Sequence, residues 1–315
     1  MPHQVLIYSR FPKAQMARIG ERYDLLDAAG RPPAEIFSAE QLAPVRAMIT
    51  AGGQRIPAAV LDTLPSLGAI ICYGTGYDGI DFTETARRNI AVGNSPAANA
   101  AAVADLAMTL MLAATRRLLP ADAYVRSGDW AGAKPSPFMR QPLGMTGRRI
   151  GVYGMGAIGR KIAARCAAFE AEVAYHSRSR YDVAYAYHPS LAALAEWADI
   201  LMVAVRAGAE TRHAVDAGIL RKLGPAGTVV NISRGSVIDQ SALVAALESG
   251  VIAAAGLDVY EKEPHAPDAL TRLPNVVLTP HIGGHTAESH RAMQDCVLAN
   301  LDAFFAGQPL RHPVK

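Results

Sequence analysis

Cysteine is scarce: the 315 residues contain three, Cys72, Cys166 and Cys296. An odd number, so widely spaced, writes neither a disulfide framework nor a Cys-rich zinc site, and suits a reducing compartment. A long apolar run is also missing. The most membrane-like stretch, Leu106 to Ala114, follows Asp105, is interrupted by Thr109 and falls short of the roughly 18 residues a span needs. Met1 to Gln4 carries no Lys or Arg, and the run Val5 to Tyr8 is too short for a signal-peptide core. Neither sign of charge is in excess. Thirty-one Lys and Arg against 28 Asp and Glu leave +3, too small and too scattered a surplus for nucleic acid or an anionic membrane. The expectation is a soluble, cytoplasmic protein whose partner is a small molecule.

What is present is ordinary globular material. Half of the residues are apolar and 19% are charged, which excludes disorder, collagen and coiled coil. At roughly 150 residues per domain the length predicts about two domains, each able to close its own core.

Apolar runs of strand length alternate with helical periodicity, as a parallel sheet with crossover helices requires. In the first hundred or so positions the runs Val5–Tyr8, Met48–Thr50, Ala69–Tyr73 and Ile90–Val92 predict the strands of a small α/β unit. Asn99 is placed to cap a strongly apolar helix lasting to about Arg117, with Val103, Leu106, Leu110, Met111 and Ala114 on one face. After a Gly- and Pro-rich loop, Gly128 to Pro142, strand Arg149–Tyr153 and helix Ile158–Glu170 open a second series. Strands at Glu172–His176, Ile200–Val205, Thr228–Ile232, Ala253–Asp258 and Val276–Leu278 complete a six-stranded doubly wound sheet.

The turn after Arg149–Tyr153 reads Gly154-Met155-Gly156-Ala157-Ile158-Gly159. Gly154 permits a tight turn, Gly156 leaves room for pyrophosphate against the backbone, and Gly159 lets the helix pack on the strand. The free NH groups at the helix N-terminus hold the phosphate. A glycine turn occurs in many βα units, but the strand before, the helix after and five further strands favour a dinucleotide site. Where an NAD-specific site places an acid after the second strand, this chain has His176-Ser177-Arg178-Ser179-Arg180. Two guanidiniums and two hydroxyls suit a 2′-phosphate, each charge-assisted bond being worth about 1.5–3 kcal/mol. NADP is therefore favoured over NAD, against the bland reading of a solvated basic loop.

Arg234, Glu263 and His281 each follow a late strand, where an open sheet presents its ligand crevice. Cation, carboxylate and imidazole at one rim suit reduction of a 2-oxo acid. That reaction needs a proton donor of near-neutral pKa, for which histidine is the natural choice. A neighbouring carboxylate would fix the ring, and a guanidinium would anchor the substrate carboxylate and polarise its carbonyl. Singly, each residue also has a structural reading as a helix cap, a surface turn or a loop histidine. A metal reading of His281, His285 and His290 is disfavoured, because Pro280 and Gly283-Gly284 oppose the helix it needs and no acidic ligands complete the set.

At this point the chain resembles the D-isomer-specific 2-hydroxyacid dehydrogenases over nearly its whole length. The matching segments are Tyr73 to Asp81, Val103-Ala104-Asp105, Gly154 to Gly159, Asn231 to Gly235, Gly256 to Pro264 and Pro280 to Gly284. Ser177-Arg178-Ser179 is similar to the NADPH-dependent branch of glyoxylate, hydroxypyruvate and hydroxyphenylpyruvate reductases, with 2-ketogluconate reductases close by. The resemblance implies Arg234 as substrate anchor, Glu263 as partner of the acid and His281 as proton donor. It implies substrate contacts at Tyr73, Gly74, Thr75 and Gly76. Cofactor contacts follow at Gly154, Gly156, Ala157, Ile158, Gly159, Ser177, Arg178, Ser179, Arg180, Val205, Arg206, Asp258 and Gly283, with Asp258 at the nicotinamide amide. One departure stands at Val205-Arg206, where the family usually has a proline; Arg206 either adds charge near the 2′-phosphate or faces solvent.

The family pattern further implies a substrate domain of residues 1–98 and 287–315, a Rossmann cofactor domain of residues 99–286, and a hinge at the two crossings whose closure expels water. The substrate domain is expected to be flavodoxin-like. The long helix and the Gly128–Pro142 loop resemble the family's dimer arm, so a homodimer is expected. The substrate's side chain is not legible, although the glycines of Ala51-Gly52-Gly53-Gln54-Arg55 leave space for bulk and Arg55 suits sugar hydroxyls. A regulatory protein that senses the dinucleotide without turnover is the competing class, and the intact Arg234, Glu263 and His281 argue against it.

Overall fold

The computed structural model describes residues 2–132 and 144–314. Its contacts divide the chain into two compact units, Met1–Asn99 with His285–Lys315, and Ala100–Gly284.

The first unit holds β1 (Gln4–Ile7), β2 (Asp24–Asp27), β3 (Ala47–Thr50), β4 (Ala69–Cys72) and β5 (Ala91–Gly93), all parallel, in the order β2-β1-β3-β4-β5. That is the flavodoxin-like order. Every residue of β3 and β4 is buried, because helices cover both faces and a strand so enclosed is mostly apolar. Met48, Ile70 and Leu61 pack on one side, and Ile49, Ile71, Val297 and Leu301 on the other. The last two belong to helix Ala287–Phe305, which Thr286 caps through the backbone NH of Ser289. The chain then returns to pair Pro313 with Gly93. β2 was not among the expected strands. It is an edge strand whose two apolar residues are only half-buried, so it makes no apolar run.

In the second unit β6 (Arg149–Tyr153), β7 (Glu172–His176), β8 (Ala186–Tyr187), β9 (Ile200–Val203), β10 (Thr228–Asn231), β11 (Ala254–Leu257) and β12 (Val276–Leu278) form one parallel sheet. The order is β12-β11-β10-β9-β6-β7-β8. The chain starts in the middle at β6, winds outward through β7 and β8, and returns to β9 to wind the other way. A crevice therefore opens outside the carboxyl ends of β6 and β9, where the direction reverses. The six expected strands are present and the two-residue β8 makes a seventh; it is too short to show in the sequence pattern.

Helix Ala100–Thr115 packs on this sheet through Val103, Ala107, Leu110 and Met111. It stops at Thr115 rather than Arg117. Arg117 takes a left-handed φ of 52° as the N-cap of helix Leu118–Arg126, which no L-residue sustains inside a right-handed helix. Of the Gly128–Pro142 loop, residues 133–142 lie outside the described residues.

Candidate active site

The sequence-predicted residues of the second unit gather at the carboxyl ends of its strands. β6 delivers the chain into Gly154, whose φ is +104° and whose NH donates to the His176 carbonyl at 2.8 Å. A Cβ on Gly154 would lie 2.8 Å from the Ala204 backbone, and one on Gly159 would lie 1.9 Å from the Gly154 carbonyl oxygen. Both contacts are with backbone, so neither position accepts a side chain. Gly156 differs: nothing stands within 4 Å of its absent Cβ, and as N-cap of helix Ala157–Ala168 it offers no side-chain cap. An open position beside the first NH groups of Ala157, Ile158 and Gly159 fits a pyrophosphate.

At the end of β7 the His176 ring lies against Tyr153, with centroids 5.9 Å apart, and its Nδ1 meets the His188 carbonyl at 2.9 Å. Next comes Ser177, not a carboxylate. It is buried, and its hydroxyl donates to the Ser179 carbonyl at 2.6 Å, tightening the turn. Arg178, Ser179 and Arg180 are exposed. Arg178 is 90% exposed and 4.0 Å from Glu210 of the loop after β9. That loop also carries Arg206, exposed, and Val205, whose carbonyl accepts the Ser233 hydroxyl.

The three candidate catalytic residues sit on successive, interlocked turns. Asn231, the last residue of β10, donates through Nδ2 to the Arg234 carbonyl at 3.0 Å and accepts the Ser233 NH at 3.0 Å. This fixes the backbone that presents Arg234, whose guanidinium also donates to the Ser233 carbonyl at 2.9 Å. The next residue must be glycine, because a Cβ on Gly235 would fall 1.9 Å from the Tyr260 carbonyl carbon. The Arg234 turn and the turn after β11 are thereby in backbone contact. Tyr260 reaches the third turn by donating its hydroxyl to the Thr279 carbonyl at 2.9 Å.

Glu263 divides its two oxygens between these turns. Oε1 accepts the Tyr260 NH at 3.2 Å, and Oε2 lies 2.7 Å from His281 Nδ1. Since a carboxylate only accepts, Nδ1 carries the hydrogen and Nε2 is left as the nitrogen that exchanges a proton. Burial pushes the Glu263 carboxyl up, but the hydrogen bond and charge of His281, the Tyr260 NH and the Arg234 charge outweigh it and hold the group below its ordinary value. His281 itself adopts φ 53°, a conformation disfavoured for its type that surrounding bonds must maintain. Asp258, 2% exposed, supplies them. Its carbonyl accepts the His281 NH at 2.8 Å, and its carboxylate takes the Thr279 hydroxyl at 2.6 Å and the NH groups of Ile282 and Gly283 at 2.8 and 2.9 Å. The residue expected at the nicotinamide amide thus shapes the loop that carries the imidazole.

In the first unit, Tyr73 is buried, its phenol pushed up to about 12 by burial, and its hydroxyl is 3.3 Å from His290 Nδ1. The Thr75 hydroxyl lies 3.0 Å from the Ser95 carbonyl and 2.9 Å from the Asn99 carboxamide. Both side chains therefore brace the Gly74–Gly76 loop from within. The Gly79 NH donates to the Gly52 carbonyl at 2.8 Å, tying that region to the Ala51–Arg55 loop.

Sequence reasoning missed the pair His213 and Glu261, 2.7 Å apart and adjacent to these turns. They stand 48 positions apart with no periodicity to link them. Among the described residues no group of three or more His, Cys, Asp or Glu could hold a metal ion, and no helix is long and apolar enough to cross a membrane.

Comparison with known proteins bears on the same residues. The family model described as "D-isomer specific 2-hydroxyacid dehydrogenase, NAD binding domain" matches residues 108–283. Glyoxylate/hydroxypyruvate reductase A of Arabidopsis thaliana is 39% identical over 295 residues, 93% of each chain. A 2-ketogluconate reductase of Gluconobacter oxydans is 39% identical over 287 residues, 90% of this chain and 91% of that protein. Among solved structures, an NADPH-dependent glyoxylate/hydroxypyruvate reductase of Sinorhizobium meliloti, in complex with NADP and malonate, superposes with a TM-score of 0.90 at 37% identity. That match covers 100% of this chain and 97% of the other.

Proposed function

The chain belongs to the D-isomer-specific 2-hydroxyacid dehydrogenases, and on that premise we propose that it reduces a 2-oxo acid of the glyoxylate or hydroxypyruvate type to the D-2-hydroxy acid with NADPH. The observation that carries this reading is the Glu263–His281 contact of 2.7 Å on turns interlocked with that of Arg234.

When bound, the reduced nicotinamide supplies the hydride that reaches the carbonyl carbon. Arg234 pairs with the substrate carboxylate and draws electron density toward the carbonyl oxygen. His281 gives that oxygen its proton from Nε2, and Glu263 fixes which nitrogen faces the substrate. The open Gly156 position and the helix behind it take the pyrophosphate, and Ser177 to Arg180 take the 2′-phosphate. Gly74 to Gly76, braced by Tyr73 and Thr75, contribute backbone NH groups to the substrate carboxylate. In this reading residues 99–286 form the cofactor domain, and residues 1–98 with 287–315 the substrate domain.

The proposed enzyme is a cytoplasmic homodimer. Leu118, Leu119, Val125 and Trp130 are more than half exposed on and just after helix Leu118–Arg126, a concentration of apolar surface that a second copy would cover. The related proteins named as glyoxylate/hydroxypyruvate and 2-ketogluconate reductases define the substrates to compare. Measured kcat/KM for glyoxylate, hydroxypyruvate, phenylpyruvate and 2-ketogluconate, with NADPH and with NADH, tests the reading. The expected result is preferred use of NADPH and a D-configured product; no turnover with any of the four overturns it.

A further inference from the structure

His213 lies in the loop between β9 and β10, outside every motif discussed above, yet it touches two of the turns that build the active site. Its backbone NH donates 2.8 Å to the carbonyl of Ser236, two residues beyond Arg234. Two residues on, Val215 pairs with Ile238 in a parallel bridge, so this stretch runs stitched along the segment that follows Arg234. Its side chain turns the other way: Nε2 is 2.7 Å from Oε1 of Glu261, two residues before Glu263. The Glu261 NH in turn meets the Gln240 side-chain oxygen at 3.4 Å. The φ of His213 is 49°, a left-handed value that, as at His281, must be held by its neighbours.

We propose that His213 is a positioning residue: through its imidazole and Glu261 it fastens the turn carrying Glu263 to the segment carrying Arg234. With the Gly235–Tyr260 backbone contact, this brace then helps to set the distance between the substrate's anchor and its proton donor. The proposal rests on the catalytic reading above. Its physical basis is that Glu263 hangs from a turn, Tyr260 to Glu263, whose own internal bond of 3.2 Å lies at the upper end of the ordinary range. Each lost tether gives the turn more freedom to shift, and displacing a reacting group by about 1 Å can cost a hundredfold in rate. Glu261 is the tether that reaches His213. A part-exposed pair of this kind contributes little to global stability, so its effect belongs in geometry rather than in folding.

The test measures H213A, H213Q and E261A beside the unmodified protein, with kcat and KM for hydroxypyruvate, Tm, and the downfield NMR resonance of the His281 Nδ1 proton, assigned by its loss in H281Q. In H213A the expected result is a fall in kcat of about ten- to a hundredfold, with KM within about twofold, Tm little changed, and the resonance broadened or lost. H213Q, whose amide can still donate to Glu261, restores both kcat and the resonance. Retention of both in H213A overturns the proposal, as does an H213Q defect equal to that of H213A. If H213A does not fold, E261A decides by the same two readouts. If the unmodified protein reduces no 2-oxo acid, the proposed function fails, while the resonance still reports whether the brace holds the Glu263–His281 bond.

Discussion

The two ends of the cofactor sheet are built on opposite principles. Beyond β10, β11 and β12 the turns bearing Arg234, Glu263 and His281 are locked by Asn231, Asp258, Tyr260 and Thr279, each side chain bonded to the backbone of its own or a neighbouring turn or to another side chain. Beyond β7, Arg178 and Arg180 stand in solvent, and the Arg178–Glu210 ion pair spans 4.0 Å between side chains 90% and 81% exposed. The difference fits the role proposed for each end. Charge that develops during a reaction is stabilised by groups already in place, since moving them at that moment costs the rate. Recognition of a permanent phosphate needs only that cations be within reach, and ordering two long side chains weakens binding without preventing it.

The sharpest way to break the locked end is H281A. It should lower kcat for 2-oxo acid reduction by about 10²–10⁴-fold, the range for loss of a positioned acid. NADPH affinity, measured by fluorescence titration, should be unchanged, because the proposed role of the imidazole is on the substrate oxygen. Full retention of activity would refute the assignment.

Next in size is G235A. The added methyl would lie 1.9 Å from the Tyr260 carbonyl carbon and 2.1 Å from its oxygen, and neither atom can rotate aside. Overpacking of this kind costs about 1–3 kcal/mol or more, so Tm should drop by roughly 5–10 °C. Separation of the Arg234 and Glu263 turns should cost up to about a hundredfold in kcat. An unchanged melting curve would show that the turns are not in the contact described.

That contact also shows how far the sequence could be read. The buried strands β3, β4 and β9 declared themselves as mainly apolar runs because both faces are covered. The edge strand Asp24–Asp27 and the two-residue Ala186–Tyr187 did not, since an edge buries too little to need such a run. Gly154 and Gly159 were legible because backbone packs against them at fixed spacing. The brace was not: His213 meets Glu261 only after two chain reversals place β9 and β11 on either side of β10, and no local pattern records a contact made that way. Nor did Tyr73 reveal that its hydroxyl faces His290 of the returning helix, 217 positions away.

The exposed end is probed by R178A with R180A. Removing both cations should weaken NADPH by about ten- to a hundredfold, as expected for one or two charge-assisted bonds, and leave NADH within about twofold, since it lacks the 2′-phosphate. Because these groups are solvated, the NADPH preference of the unmodified protein should also shrink as salt rises from 0.05 to 0.5 M, over which the screening length falls to a few ångströms, about 4 Å. Equal losses for both cofactors would remove the 2′-phosphate from the argument.

The smallest effect returns to the locked end. The Glu263 carboxyl is held below its ordinary value, burial opposing and His281, Tyr260 and Arg234 prevailing. A group whose pKa is lower folded than unfolded stabilises the protein fully above the unfolded value, about 4.3 for glutamate. That contribution is lost as pH falls through the folded value, because the unfolded chain takes up the proton first. E263Q cannot titrate. The unmodified protein should therefore melt above E263Q at pH 7 by a few degrees at most, the pair being part-exposed and worth about 1 kcal/mol or less. The gap should close as pH is lowered through the carboxylate range. A gap that stays constant from pH 7 to pH 3 would mean that Glu263 gains nothing from ionisation in the fold, and that the 2.7 Å contact with His281 orients the ring without favouring its charged form.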